Sequence, residues 1–354
     1  MFVSGWSDCL SLIKADHHCP IQIHGSLPYH ELRQLGIVPS SIIDFSAAVN
    51  PYPLPEGIQR LFTCDGIMAY PDTECHEARM ALAAHHEISN EWILVTAGLT
   101  ETLFILPSLY KRAIQFSPTY GDYSAAYSRL RRRIENIRFP RSESEFGETI
   151  DSLKLKMFRL LIICNPNNPN GRYLPLYRIK ELCEIFEYAT ICIDESYQEI
   201  SENCDSAIPL IPHFRNLLIL KSLTKPFGIG GLRAGYAVSS GGVLKRIRQC
   251  LMPWGVSSLA QKVIPALLRN YSQFAQQWDL VMSEKRRMME QLHGIGIEVI
   301  NGRCPFFLAR LQQSSTVRNY LLEFHHIAVR DCTSFGLFDM LRIMPSLPQN
   351  NTIL

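Results

Sequence analysis

Three apolar runs in the middle of the chain each end on a cluster of polar side chains. Asn216 to Leu220 leads into Ser222, Thr224 and Lys225, then Gly228, Gly230 and Gly231, with Arg233 eight residues beyond Lys225. Leu160 to Cys164 is followed by Asn165-Pro166-Asn167-Asn168-Pro169-Asn170-Gly171. Ile191 to Ile193 is followed by Asp194-Glu195-Ser196-Tyr197. Short apolar runs bounded by turn residues read as buried strands. Polar groups gathered just past the ends of such strands are what an open α/β sheet uses to hold a ligand.

A lysine at the end of a buried strand needs an explanation, because long cations seldom sit fully inside. One explanation is a Schiff base to a carbonyl cofactor, for which the amine must be partly desolvated so that its pKa falls. The plain alternative is a surface lysine in a glycine-rich loop. The other two clusters favour the first. A pyridoxal phosphate site needs a carboxylate on the pyridinium nitrogen, donors to the phenolic oxygen and a lysine for the aldehyde. Asp194, Asn168 with Tyr197, and Lys225 supply these in turn. Ser222, Thr224 and Arg233 are then candidates for the cofactor's phosphate.

The Asn-Pro-x-Gly, Asp-x-x-Tyr and Ser-x-x-Lys-(x7)-Arg elements, in this order, resemble the fold-type I pyridoxal-phosphate family, which includes the class I/II aminotransferases. The resemblance covers nearly the whole chain. It implies an aminotransferase-like α/β fold. In that fold a large domain with a mostly parallel sheet, helices on both faces, carries the cofactor beside a smaller α+β domain. It also implies roles. Lys225 is expected to bond the cofactor and to act as acid and base, and Asp194 to face the ring nitrogen. Tyr120 is expected to stack on the ring as part of the catalytic set. Leu99 and Thr100 open a helix whose first amides suit a phosphate. Tyr70, in Ala69-Tyr70-Pro71-Asp72, matches a tyrosine that reaches the neighbouring subunit's phosphate, so a homodimer with shared active sites is expected.

Two stretches resemble one branch of that family, the threonine-phosphate decarboxylases of cobalamin synthesis, close relatives of the histidinol-phosphate aminotransferases. They are Asp44-Phe45-Ser46-Ala47…Asn50-Pro51 and Val329-Arg330…Leu341-Arg342-Ile343. The resemblance implies that His24, Arg330 and Arg342 face the substrate, Arg342 holding a carboxylate. A guanidinium fork suits that group bidentately. The chain departs from the family opening, His-Gly-Gly-Asn, at His24-Gly25-Ser26-Leu27, and the interval between the two arginines is slightly shorter.

Composition narrows the rest. The chain has 354 residues and a formal net charge of +2, enough length for two domains and no overall charge to attract nucleic acid or an anionic membrane. Arg129-Leu130-Arg131-Arg132-Arg133 reads as a solvated helix end. No apolar run has the length of a membrane span. Met1 to Leu12 shows no basic region before an apolar core, so no secretory signal is expected. Eleven cysteines without a Cys-x-x-Cys pair suggest reduced thiols and a cytoplasmic protein. His17-His18-Cys19 lacks a second ligand cluster, and no metal is expected.

Along the chain, further strands are expected at Ser41 to Phe45, Trp92 to Val95, Ala113 to Phe116 and Ile134 to Phe139. Arg141 to Glu148 reads as a polar loop and Pro175 to Tyr188 as a helix. Val256 to Leu292 reads as one long helix, followed by strands at Glu298 to Asn301 and Pro305 to Leu311, a helix at Ser315 to Phe324 and two more strands. The expected division is residues 1–40 as an N-terminal segment packing with the small domain, 41–250 as the large cofactor domain, and 251–354 as the small C-terminal domain. The expected activity is decarboxylation of a small, phosphorylated amino acid. The alternative is amino transfer of the histidinol-phosphate type. A non-catalytic cofactor-binding domain of a transcription regulator is a third reading. It is disfavoured because the family pattern begins near His24, leaving no room for a DNA-binding domain ahead of it.

Overall fold

The computed structural model describes residues 26–62 and 68–354. The strands, in chain order, are β1 (Ile43–Asp44), β2 (Ile93–Thr96), β3 (Ala113–Ser117), β4 (Ile134–Arg138), β5 (Leu160–Cys164), β6 (Thr190–Asp194), β7 (Leu217–Ser222) and β8 (Gly235–Val238). They continue with β9 (Glu298–Ile300), β10 (Phe307–Arg310), β11 (Ile327–Ala328), β12 (Arg330–Asp331) and β13 (Met340–Ile343).

Seven strands form one sheet in the order β2-β8-β7-β6-β5-β3-β4. Only β8 runs against the rest, pairing antiparallel with both β2 and β7. The three central strands β5, β6 and β7 read as unbroken apolar runs because both faces are covered, as parallel strands require. One face packs on helices Leu99–Leu109, Asp122–Arg129 and Val243–Arg248 through Leu94, Leu160, Ile162, Leu218 and Leu220. The other packs on helices that include His76–His86 and Ser258–Arg269, through Ile93, Leu161, Ile163, Ile191 and Ile219.

The second unit is a four-stranded antiparallel sheet, β12-β13-β10-β9, beside the short parallel pair β1–β11. Its core gathers Phe45, Met288, Phe307, Val329, Leu341 and Ile343. Helix Tyr29–Leu35 joins this unit. Leu32 packs on Leu322 and Ala328, and Glu31 pairs with Arg318. The core beneath the large sheet runs on through Phe274, Trp278 and Val281, past the boundary expected at residue 250.

Two local expectations are corrected. Arg141 to Glu148 is not a loop, since Glu143–Lys154 is a helix. Ser142 caps it by accepting from the Glu145 amide at 3.2 Å, and Phe146, Ile150 and Leu153 bury one face. Val256 to Leu292 is not one helix but two, Ser258–Arg269 and Tyr271–Gly294. The break is at Asn270, whose side-chain amide donates to the Ala266 carbonyl at 2.8 Å and competes with the helical ladder.

Candidate active site

Cys164, Asp194 and Ser222 end the adjacent strands β5, β6 and β7, and all three line one cavity of about 360 Å³. Strand side chains alternate between faces. The even-numbered ends therefore point to the side carrying helices Leu99–Leu109 and Asp122–Arg129. Leu99, Thr100, Tyr120, Asn168, Tyr197, Thr224, Lys225, Arg233 and Arg342 complete the predicted part of the wall.

At one end the wall is built to meet an anion. Gly98 precedes helix Leu99–Leu109 with φ of +77°, a conformation that favours glycine. A Cβ there would lie 2.8 Å from Arg233 Nη2. The guanidinium thus closes over the first helical turn, where backbone amides have no helical acceptor. Arg233 itself adopts φ of +54°, and its Nη1 donates to the Gly230 carbonyl at 3.1 Å. Thr100, Ser222 and Thr224 add hydroxyls to the same wall.

Asp194 is buried on the cavity floor. Its Oδ1 accepts from Ser196 Oγ at 2.5 Å and from the Ser196 amide at 2.9 Å, and its Oδ2 accepts from Tyr123 Oη at 2.6 Å. Burial pushes its pKa up, and the bonds from Ser196 and Tyr123 and the nearby Lys225 ammonium pull it back. A cation bound here would stabilise the carboxylate further. Lys225 faces the same cavity, and its amine is pulled down to about 8 by burial and by the Arg342 and Arg233 charges. Its backbone carbonyl accepts from the Asn50 amide at 2.8 Å, which ties the lysine loop to the segment after β1.

Arg342, at the second unit's edge of the cavity, bridges the two units. Its Nη1 donates to Asn168 Oδ1 at 2.5 Å and its Nη2 to the Ser46 carbonyl at 2.8 Å. An arginine can only donate. It therefore fixes the Asn168 oxygen toward itself and leaves the amide nitrogen as Asn168's donor. Tyr197 lies edge-on to Phe306, and Arg342 stacks on that same ring at 4.8 Å.

Two predicted residues are placed elsewhere. Tyr70 is away from this cavity, exposed, with its ring 5.3 Å from that of Trp254. Arg330 does not line the cavity. It is fully buried, its Nη2 donates to Ser334 Oγ at 2.7 Å, and its guanidinium lies over the Phe335 ring. His24 falls outside the described residues, although Ser26 reaches the cavity wall.

Four groups at or behind the cavity wall were not foreseen. Asp122 accepts from Tyr120 Oη at 2.6 Å and so braces that ring. Tyr123, a buried core residue, also donates to Asp194. Ser196 forms the turn that fixes Asp194, and an Asp followed two residues later by Ser is the available signal for it. Cys164 is the last residue of β5. Among the described residues no group of acidic, histidine or cysteine side chains is arranged for a metal.

The donor set fits pyridoxal phosphate. The Gly98–Arg233 cradle suits the phosphate, Asp194 the ring nitrogen, Asn168 and Tyr197 the phenolic oxygen, and Lys225 the aldehyde.

Comparison with known proteins agrees. A family model described as aminotransferase class I and II matches residues 40–353. A threonine-phosphate decarboxylase of Salmonella typhimurium is 29% identical over 329 residues, covering 89% of each chain. A histidinol-phosphate aminotransferase of Ruminiclostridium cellulolyticum is 25% identical over 347 residues, covering 94% of this chain and 95% of that one. The crystal structure of an L-threonine-O-3-phosphate decarboxylase from Porphyromonas gingivalis superposes with a TM-score of 0.78 at 25% identity, covering 87% of this chain and 96% of that one. The chain belongs to the aminotransferase class I and II family, whose enzymes carry pyridoxal phosphate, and its cavity fits that cofactor.

Proposed function

We propose that the protein is a pyridoxal-phosphate-dependent decarboxylase of a small amino acid that carries a phosphate. The observation behind this reading is the pairing of Arg330 with Arg342. The two are direct cross-strand partners on β12 and β13, so their side chains leave the same face of the sheet. Both are buried, and burial together with the Arg342 charge pulls Arg330 down to about 10. Arg342 lines the cavity and Arg330 stands directly behind it, so the two charges make that wall strongly positive, which suits an anionic ligand. The likeness to the Salmonella typhimurium decarboxylase supports the same choice.

When bound, the cofactor supplies an electron sink for the bond broken at the substrate's α-carbon. The chain's own residues do the rest. Asp194, held by Tyr123 and Ser196, keeps negative charge at the ring nitrogen. Asn168 offers its amide nitrogen and Tyr197 its hydroxyl. Arg342 would bind a carboxylate, and the Lys225 amine would hold or deliver a proton beside the reacting carbon.

Amino transfer remains the second reading, and one contact favours it. Arg342 is bonded to Asn168, so its guanidinium sits level with the group expected at the phenolic oxygen. A carboxylate bound to Arg342 would be held beside Asn168 and kept from turning, which would favour loss of the α-proton over loss of carbon dioxide. Incubation of purified protein with a panel of phosphorylated amino acids, with and without a keto-acid acceptor, separates the two. Carbon dioxide and a phosphorylated amine support decarboxylation. A keto acid, formed only with turnover of the acceptor, supports amino transfer and overturns the first reading.

Tyr70, exposed and remote from its own chain's cavity, is proposed to serve the site of a second copy in a homodimer.

A further inference from the structure

A second buried charge cluster lies on the opposite face of the sheet from the cavity, directly behind it. Lys221 precedes Ser222 on β7, and Glu195 follows Asp194 at the end of β6. Alternation along the strands sends Asp194 and Ser222 to the cavity, and Glu195 and Lys221 to the other side. There Lys221 Nζ meets Glu195 Oε2 at 3.1 Å, Glu199 Oε1 at 2.7 Å and Gln198 Oε1 at 2.6 Å. The side chains of Lys221 and Glu195 are each 1% exposed. Glu195 is held further by Ser206 Oγ and the Ala207 amide, both at 2.6 Å. The Glu195 amide donates to the Leu220 carbonyl at 2.8 Å, so the β6–β7 ladder continues to this point.

We propose that Lys221 is a positioning residue for the cofactor: with Glu195 and Glu199 it clamps the ends of β6 and β7 and so fixes the spacing of Asp194 and Ser222. The geometry gives the clamp a reason to exist. Asp194 and Ser222 must meet opposite ends of one rigid ligand, the ring nitrogen and the phosphate, and they stand on neighbouring strands at the point where the ladder ends. Beyond that point, nothing in the β6–β7 backbone ladder holds the strand ends at one distance. A buried ion pair that has lost one partner leaves an uncompensated charge, so the cross-link resists opening. Lys221 is also thereby excluded from the cofactor's aldehyde, since its amine is committed on the far face of the sheet.

The inference rests on pyridoxal phosphate occupying the cavity, and the test separates the two claims. Cofactor-free wild type, Lys221→Met, Lys221→Arg and Glu199→Ala are titrated with pyridoxal phosphate by quenching of tryptophan fluorescence. The pH midpoint of the bound cofactor's visible absorbance is then measured for each, together with thermal stability. Wild type that binds no cofactor overturns the assignment of the cavity. If wild type binds, Lys221→Met is expected to weaken binding at least tenfold and to move the midpoint. Lys221→Arg should recover much of both, and Glu199→Ala should weaken binding about threefold. If Lys221→Met does not fold, Glu199→Ala decides alone. Reduced thermal stability with unchanged affinity and midpoint, in whichever of the two variants folds, contradicts the proposal.

Discussion

Tyr123 donates from its hydroxyl to Asp194 Oδ2 at 2.6 Å, three residues after the tyrosine expected to stack on the ring. The bond crosses from helix Asp122–Arg129 to the end of β6, and both partners are buried. It holds one carboxylate oxygen while Ser196 holds the other.

Tyr123→Phe removes that donor without changing the packed ring. A hydrogen bond to a charged group contributes about 1.5–3 kcal/mol, so turnover should fall roughly ten- to a hundredfold. Asp194→Ala should fall by several orders of magnitude while still binding cofactor. Steady-state kinetics with cofactor-binding measurements check both. A Tyr123→Phe enzyme of normal activity shows that Ser196 suffices.

The depressed amine of Lys225 sets a pH dependence for cofactor loading. Lys225 is pulled down to about 8, so it becomes neutral and nucleophilic above that pH. An ordinary lysine does so only above about 10.4. The loading rate of cofactor-free protein should climb through about pH 8 and then level off. Linkage has a consistent sign. Between these two values the unfolded chain binds a proton that the folded chain does not, so cofactor-free stability rises with pH across this window. Stopped-flow absorbance across pH 6.5 to ~10.5 reads the midpoint, the upper end being the ordinary lysine value. A climb delayed to the top of that range contradicts the desolvated amine.

Under the proposed function, Arg342, on the cavity wall, takes the substrate's carboxylate, and the charge of Arg330 behind it serves a second anionic group. Arg342→Ala should weaken a phosphorylated amino acid and its unphosphorylated parent alike, by about ten- to a hundredfold, because both present the carboxylate. Arg330→Ala should weaken the phosphorylated compound far more than the parent. Binding titrations of both ligands to both variants check this. Equal losses on Arg330→Ala make that residue a brace for the loop before β13, through contacts that include Ser334 and Phe335.

Much of this site was legible because parallel strands buried on both faces announce themselves as apolar runs. The residues just past Cys164, Ile193 and Leu220 could be read from position alone. Side chains whose role depends on packing were not. Tyr123 looks like any core aromatic until helix Asp122–Arg129 is laid beside β6. Asp122 gives no local sign that it braces Tyr120. Helix Glu143–Lys154 was hidden by the acidic residues that stabilise its first turn. Arg330 and Arg342 look equivalent in sequence and are direct cross-strand partners, yet only Arg342 lines the cavity wall.

The proposed dimer has a direct test. Lys225→Ala and Tyr70→Phe proteins should each be poorly active. Mixed under subunit exchange, they should regain activity, because one of the two sites in the hybrid has both residues. No recovery, with exchange verified, contradicts a shared site.

The central claim is that Lys225 carries the cofactor in a cavity floored by Asp194. Borohydride reduction of the cofactor-loaded protein, followed by peptide mapping, tests it most directly. The account predicts a yellow protein that loses its visible absorbance on reduction, with the pyridoxyl label fixed on Lys225. A label on Lys221, or no label at all, contradicts it.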